Sequence, residues 1–213
     1  MSAMFRSWKA LAAMAIAAAA AAAGCGDLAT QGRSPSQLVV LSLAAAPGAS
    51  PGDFGANLLS DVVTNVQRTI DGQQVSSPTI FNDVGSVQFA LILKDPGSDP
   101  AAPTSPGPLN AVTVTRYRVV YLRADGRNTP GVDVPFPFDS GVTVTVTADG
   151  ASTGFEIVRS SAKLEAPLRA LKDNPETIST IAEVTFYGHD QAGNDVSATG
   201  LIGINFANFA DPN

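Results

Sequence analysis

The chain has 213 residues, with 13 Lys or Arg against 19 Asp or Glu, a net charge of −6, one cysteine and one histidine. An acidic chain of this kind is repelled by nucleic acid and by anionic lipid headgroups, so no nucleic-acid partner is expected. One cysteine permits no internal disulfide, and one histidine leaves Ser/His triads and zinc centres short of parts.

The first residues, MSAMFRSWKALAAMAIAAAAAAAGCGD, have the three parts of a secretory signal. Arg6 and Lys9 make a basic start, residues 10–23 an uncharged alanine-rich run, and small residues follow. Alanine is weakly apolar and the run is short of the roughly 20 apolar residues of a permanent span, so cleavage is expected and residues 1–24 are set apart from the fold. Loss of Arg6 and Lys9 leaves 11 basic against 19 acidic residues, a net charge of −8.

Cys25 lies where that segment ends, in the string Ala22-Ala23-Gly24-Cys25. This resembles the lipobox of bacterial lipoproteins, with alanine at position 22 where leucine is usual. The resemblance implies cleavage before Cys25, lipid on its sulfur and a bacterial membrane as the partner of the anchor, on its periplasmic or surface face. Stable anchoring needs more than one acyl chain at about 0.8 kcal/mol per buried CH₂, which a tri-acylated cysteine supplies. No cofactor other than this covalent lipid is expected. Residues 25–36 then read as the attachment cysteine and a flexible tether of turn formers.

From residue 37 to 213 the pattern is that of one β domain. Val39, Leu41 and Leu43 alternate with Val40 and Ser42; Val87, Phe89, Leu91 and Leu93 form a second alternating run. In residues 110–123 the apolar parity switches near Arg116, from Val112 and Val114 to Tyr117, Val119 and Tyr121. A β-bulge does this by rotating everything after one extra residue; a strand that changes sheet is the alternative. Val142, Val144 and Val146 alternate with threonines, as suits a pleated strand. In AKLEAPLRALKD, residues 162–173, Pro167 limits any helix to a turn or two. Finally ISTIAEVTFYGHD and DVSATGLIGINFANF flank QAGN, with Val196, Ala198, Gly200, Ile202, Ile204 and Phe206 on one face and Gly193-Asn194 at the reversal.

About nine such strands predict an all-β fold, an antiparallel sandwich with long loops. The DQAGN reversal is similar to the closing hairpin of many bacterial immunoglobulin-like domains, and this resemblance implies an Ig-like sandwich without the disulfide of antibody domains. Two loops stand out. Residues 95–109 are Pro-rich and expected to be exposed. Residues 123–138, RADGRNTPGVDVPFPF, gather Arg123, Asp125, Arg127 and Asp133, which either hold the loop's own shape or form a recognition surface. Phe136 and Phe138 share a parity and are expected to pin the returning chain to the core.

Catalytic patterns are sparse. Gly48-Ala49-Ser50-Pro51-Gly52 spells a serine-hydrolase elbow, but Pro51-Gly52 opens a loop where that motif needs a helix. Adjacent strand residues point to opposite faces, so Asp190 does not orient His189. Asp190, Asn194 and Asp195 offer hard oxygen ligands for calcium, yet their spacing is not that of an EF-hand and the same residue types stabilise turns, so no metal is expected. Glu156, Glu165, Glu176 and Glu183 show no pairing that would suit glycoside hydrolysis, and Glu183 is expected to face solvent. The tyrosines lie at strand positions that suit core packing rather than a sugar platform. The expectation is a lipid-anchored exported envelope protein, not an enzyme, with a structural or protein-interaction role and an envelope protein as partner. A module binding carbohydrate or peptide is the alternative, and a hydrolase on a β-scaffold the third reading.

Overall fold

The computed structural model describes residues 32–95, 97–99 and 101–210. Cys25 and the signal lie outside them. Among the described residues, no helix is long and apolar enough to cross a membrane. The described residues form ten strands: β1 (Ser36–Ala46), β2 (Asn57–Asp61), β3 (Thr64–Ile70), β4 (Gln73–Thr79), β5 (Asp83–Leu93), β6 (Val112–Leu122), β7 (Phe138–Val146), β8 (Ala151–Val158), β9 (Ile178–Asp190) and β10 (Asp195–Ala207). A single helical turn α1 (Ser160–Lys163) and a 3₁₀ segment (Leu168–Asp173) flank Pro167, the interruption its ring imposes.

Two sheets pack face to face. The smaller has the order β1-β5-β8 and the larger β2-β10-β9-β6-β7, while β3 and β4, among the described residues, pair only with each other. The all-β expectation holds, with one difference: β2 joins β10 in parallel, whereas every other ladder is antiparallel. The chain thus begins on one sheet and crosses to the edge of the other before β3.

Rings stitch the sheets together. Phe186 of β9 meets Phe89 of β5 at 5.0 Å and Phe155 of β8 at 5.3 Å, both edge to face, and Tyr117 of β6 meets Phe155 at 5.0 Å. The Tyr117 and Tyr121 hydroxyls donate to the carbonyls of Glu156 and Ile157 on β8, at 2.9 and 2.7 Å. Burial pushes both phenols above their ordinary pKa, so they remain neutral donors. Core packing is therefore the role of these two tyrosines.

The parity switch in β6 is a bulge. Pairing with both β7 and β9 shifts register between Val114 and Arg116, and Val112, Val114, Tyr117, Val119 and Tyr121 are all buried. β6 stays in one sheet, which removes the sheet-changing alternative. A second bulge overturns the expected face of β1: register shifts between Val40 and Ser42, Leu41 is 59% exposed, and Val40 and Leu43 pack on the core. The extra residue rotates the strand, so Leu41 and Leu43 lose their shared face.

The closing hairpin is as expected, with His189 opposite Asp195 and Ile178 opposite Phe206. Its turn lies beside the point where the described chain begins. The Ser36 hydroxyl donates to Asn110 O, Lys94 Nζ to Gly32 O, and Gln191 Nε2 to Ala111 O. This pole also carries the described residues of the Pro-rich loop, most of them exposed. At the opposite pole, about 35 Å away along an 11-residue strand, lie residues 123–137, α1, the 3₁₀ segment and the root of the β3–β4 hairpin.

Candidate functional site

The loop after β6 is built around one carboxylate. Arg123 Nε and Nη2 donate to Asp125 Oδ1 and Oδ2 at 3.1 and 2.6 Å, a two-pronged pair. Arg127 Nε reaches Oδ2 at 3.0 Å, and its backbone N–H reaches Oδ1 at 3.1 Å. The Arg123 side chain hydrogen bond, with the Arg127 bonds against the opposing cost of desolvation, holds the Asp125 carboxyl well below the usual carboxylate range. Asp125 raises the Arg123 pKa in turn.

Asparagine and aspartate side chains fix the remaining turns. Asn128 Oδ1 accepts from Arg123 N at 2.6 Å, and Asp133 Oδ2 accepts from Thr129 N at 3.1 Å. Thr129 O accepts from Val132, Asp133 and Val134, and Gly131 N donates to Val134 O at 2.8 Å. Gly131 has φ +76°, a conformation that favours glycine, and a β-carbon there would displace the Phe136 ring. Phe138 enters the core as expected. Phe136 does not: it is 48% exposed and packs on the loop itself.

All four charged residues singled out from the sequence thus lie in one structured loop. Asp125 joins Arg123 and Arg127, while Asp133 serves a separate turn. Between this loop and the segment after Pro167 runs a groove of about 440 Å³, with Arg127, Val132 and Asp133 on one side and Asn174, Glu176 and Ile178 on the other. Arg127 extends into solvent, with 65% of its side chain exposed, whereas Arg123 is 17% exposed and braces the loop. Groups of both charges beside an apolar Val132 suit a polar, peptide-like surface.

No family model, curated protein or solved structure matches this chain.

The other candidate residues lie elsewhere. Asp190, at the turn of the closing hairpin, accepts from Ala192 N, Asn194 N and Asn194 Nδ2, each at 2.9 Å. Desolvation raises its pKa, but the hydrogen bonds of Asn194, Ser34 and Ala192 outweigh this and leave it lowered. Its oxygens are thus engaged by the turn, while Asp195 is exposed at the start of β10. Among the described residues, no three His, Cys, Asp or Glu side chains gather as a metal-binding group.

His189 is exposed and lines a cleft of about 230 Å³ with Arg116, Tyr187 and Asp195. The Arg116 guanidinium lies 3.9 Å over the Tyr187 ring and pairs with Asp139, so that ring's outer face is covered. Ser50 sits in a tight turn, its N–H donating to Pro47 O and its carbonyl accepting from Asp53 N, and the segment runs on to β2 rather than to a helix. Glu156 is half-buried with a pKa raised by desolvation against the pull of Arg159; Glu176 lines the groove; Glu183 sits on the outer sheet face opposite Leu201.

A buried ion pair had no sequence signal. Lys163 Nζ lies 3.0 and 2.9 Å from the two carboxylate oxygens of Asp83, and each side chain is 1% exposed. The Ser60 hydroxyl and Gly48 N–H donate to the same carboxylate at 2.6 and 2.9 Å.

Proposed function

We propose that this chain is an exported bacterial envelope protein, held to a membrane by lipid at Cys25, whose sandwich has a structural or protein-interaction role. The observation that carries this reading is the opposition of two poles. The chain leaves the sandwich toward Cys25 at the pole with the closing hairpin, and the segment from Cys25 to Ser36 spans at most roughly 40 Å. The charged loop and its groove occupy the other pole, turned away from such an anchor.

The sandwich is of the immunoglobulin-like kind. Matching β1, β5 and β8 to strands A, B and E, and β6, β7, β9 and β10 to C, C′, F and G, supports this reading, with no strand in the place of D. This architecture carries no chemistry of its own. A peptide-binding module is the second reading, favoured by the mixed charge of the groove.

A photo-crosslinking side chain in place of exposed Val132 is expected to trap a discrete protein adduct in intact host cells, whereas one in place of Thr145, on the sheet face near the tether pole, traps none. Arg127→Ala should weaken that adduct while leaving the melting temperature unchanged, because its ion pair is solvated. Equal adducts at both positions, or none, contradict a role for this pole.

A further inference from the structure

The β3–β4 hairpin has features that the sandwich does not explain. Ile70 pairs with Gln73 across Asp71-Gly72, whose φ values of 50° and 79° are those of a type I′ turn. Residues flanking a two-residue turn form a hydrogen-bonded pair, so alternate residues, including Gln67 and Thr69, direct their backbone N–H and C=O to the outer edge of β3. On the opposite edge, Pro78 sits in the corresponding outward position and has no N–H to offer. Gln74 and Ser76 still direct donors and acceptors outward on that edge, but the proline interrupts it, so the edge of β3 is the one without a proline.

Side-chain alternation makes the ribbon two-faced. Val66, Arg68, Ile70 and Val75 share one side; Gln67, Thr69, Gln74 and Ser76 share the other. Every residue from 67 to 76 is exposed, with Ile70 at 54% and Val75 at 42%. A lone hairpin is marginal in water. This one keeps a strong turn and two apolar side chains, Ile70 and Val75, exposed on one face, while Val66 nearer the root is half-buried.

We propose that the outer edge of β3 is a docking site for an extended segment of a partner protein, bearing apolar, acidic and apolar side chains at alternate positions opposite Val66, Arg68 and Ile70. Strand addition supplies main-chain hydrogen bonds at Gln67 and Thr69, and the alternate side chains supply selectivity. Charge selects the occupant: Arg68 is exposed and makes no ion pair among the described residues, and opposite charges across a ladder stabilise it. A second copy of this chain is disfavoured. Antiparallel self-pairing that matches Val66 with Ile70 sets Arg68 against Arg68, and in-register parallel pairing does the same; separating the arginines breaks the apolar pairs. The proposal depends on neither the lipid anchor nor the groove.

The test is hydrogen exchange on the full-length protein with two synthetic peptides, Thr-Val-Thr-Glu-Thr-Val-Thr and the same sequence with Lys for Glu. The Glu peptide is expected to slow exchange at Gln67 and Thr69 and to bind about fivefold tighter than the Lys peptide. Arg68→Glu should reverse that preference, and Thr69→Pro, which removes an outward N–H without cutting the β3–β4 ladder, should abolish protection. No protection with either peptide, or equal affinity for both, overturns the proposal. So does a concentration-dependent dimer that Thr69→Pro dissolves, which would assign the edge to a second copy.

Discussion

Lys163→Ala is expected to destabilise the sandwich by about 3–5 kcal/mol, read as a lower urea midpoint by tyrosine fluorescence. The substitution strands the Asp83 carboxylate at a site where both side chains are 1% exposed. Two neutral donors remain, the Ser60 hydroxyl and Gly48 N–H, and they do not replace an ammonium that contacts both oxygens. Asp83→Ala strands the lysine and should cost as much. The pair Asp83→Leu with Lys163→Met should recover most of the loss, because replacing a whole buried ion pair with apolar side chains is often neutral or stabilising. A single-substitution cost below about 1 kcal/mol would show that water reaches the site. The network also fixes a place in the fold: it joins the Gly48 turn, β2, the start of β5 and α1, next to the root of the β3–β4 hairpin.

Phe186→Ala should cost a comparable amount, about 3–5 kcal/mol, by opening a cavity between the sheets. Its ring contacts Phe89 and Phe155 of the smaller sheet and lies 6.1 Å from Tyr117 of its own. The next residue provides the control. Tyr187 points to the outer face, stacked on Arg116, and Tyr187→Ala should cost about 1 kcal/mol or less. Equal costs at the two positions would mean that β9 does not present its faces as described.

The contrast between neighbours shows what the sequence makes legible. Where apolar residues keep to one parity, as in Val196 to Phe206, period two reveals the buried face. Where the parity switches once among strong signals, as at Arg116, it reveals the bulge as well. In β1 both parities are apolar, Leu38 and Val40 against Val39 and Leu41, so the pattern does not fix which residue bulges out. The β3–β4 hairpin announces its turn with Asp71-Gly72, but Thr, Gln and Ser dilute its alternation. Lys163 and Asp83 lie 80 residues apart, and a lysine in a helix-like patch reads as a surface residue. The candidate loop is intermediate. Its four charged residues were visible as a cluster, but the central place of Asp125 depends on chain reversals that only three dimensions supply.

Lipid at Cys25 would impose the proposed two-pole arrangement on the sandwich. The most direct test is the intact mass of the mature protein extracted from the host membrane fraction. The expected result is a chain that begins at Cys25 and carries acyl groups on that residue, with Cys25→Ser released from membranes. A mature chain whose Cys25 is unmodified, or one that retains residues 1–24, would contradict it.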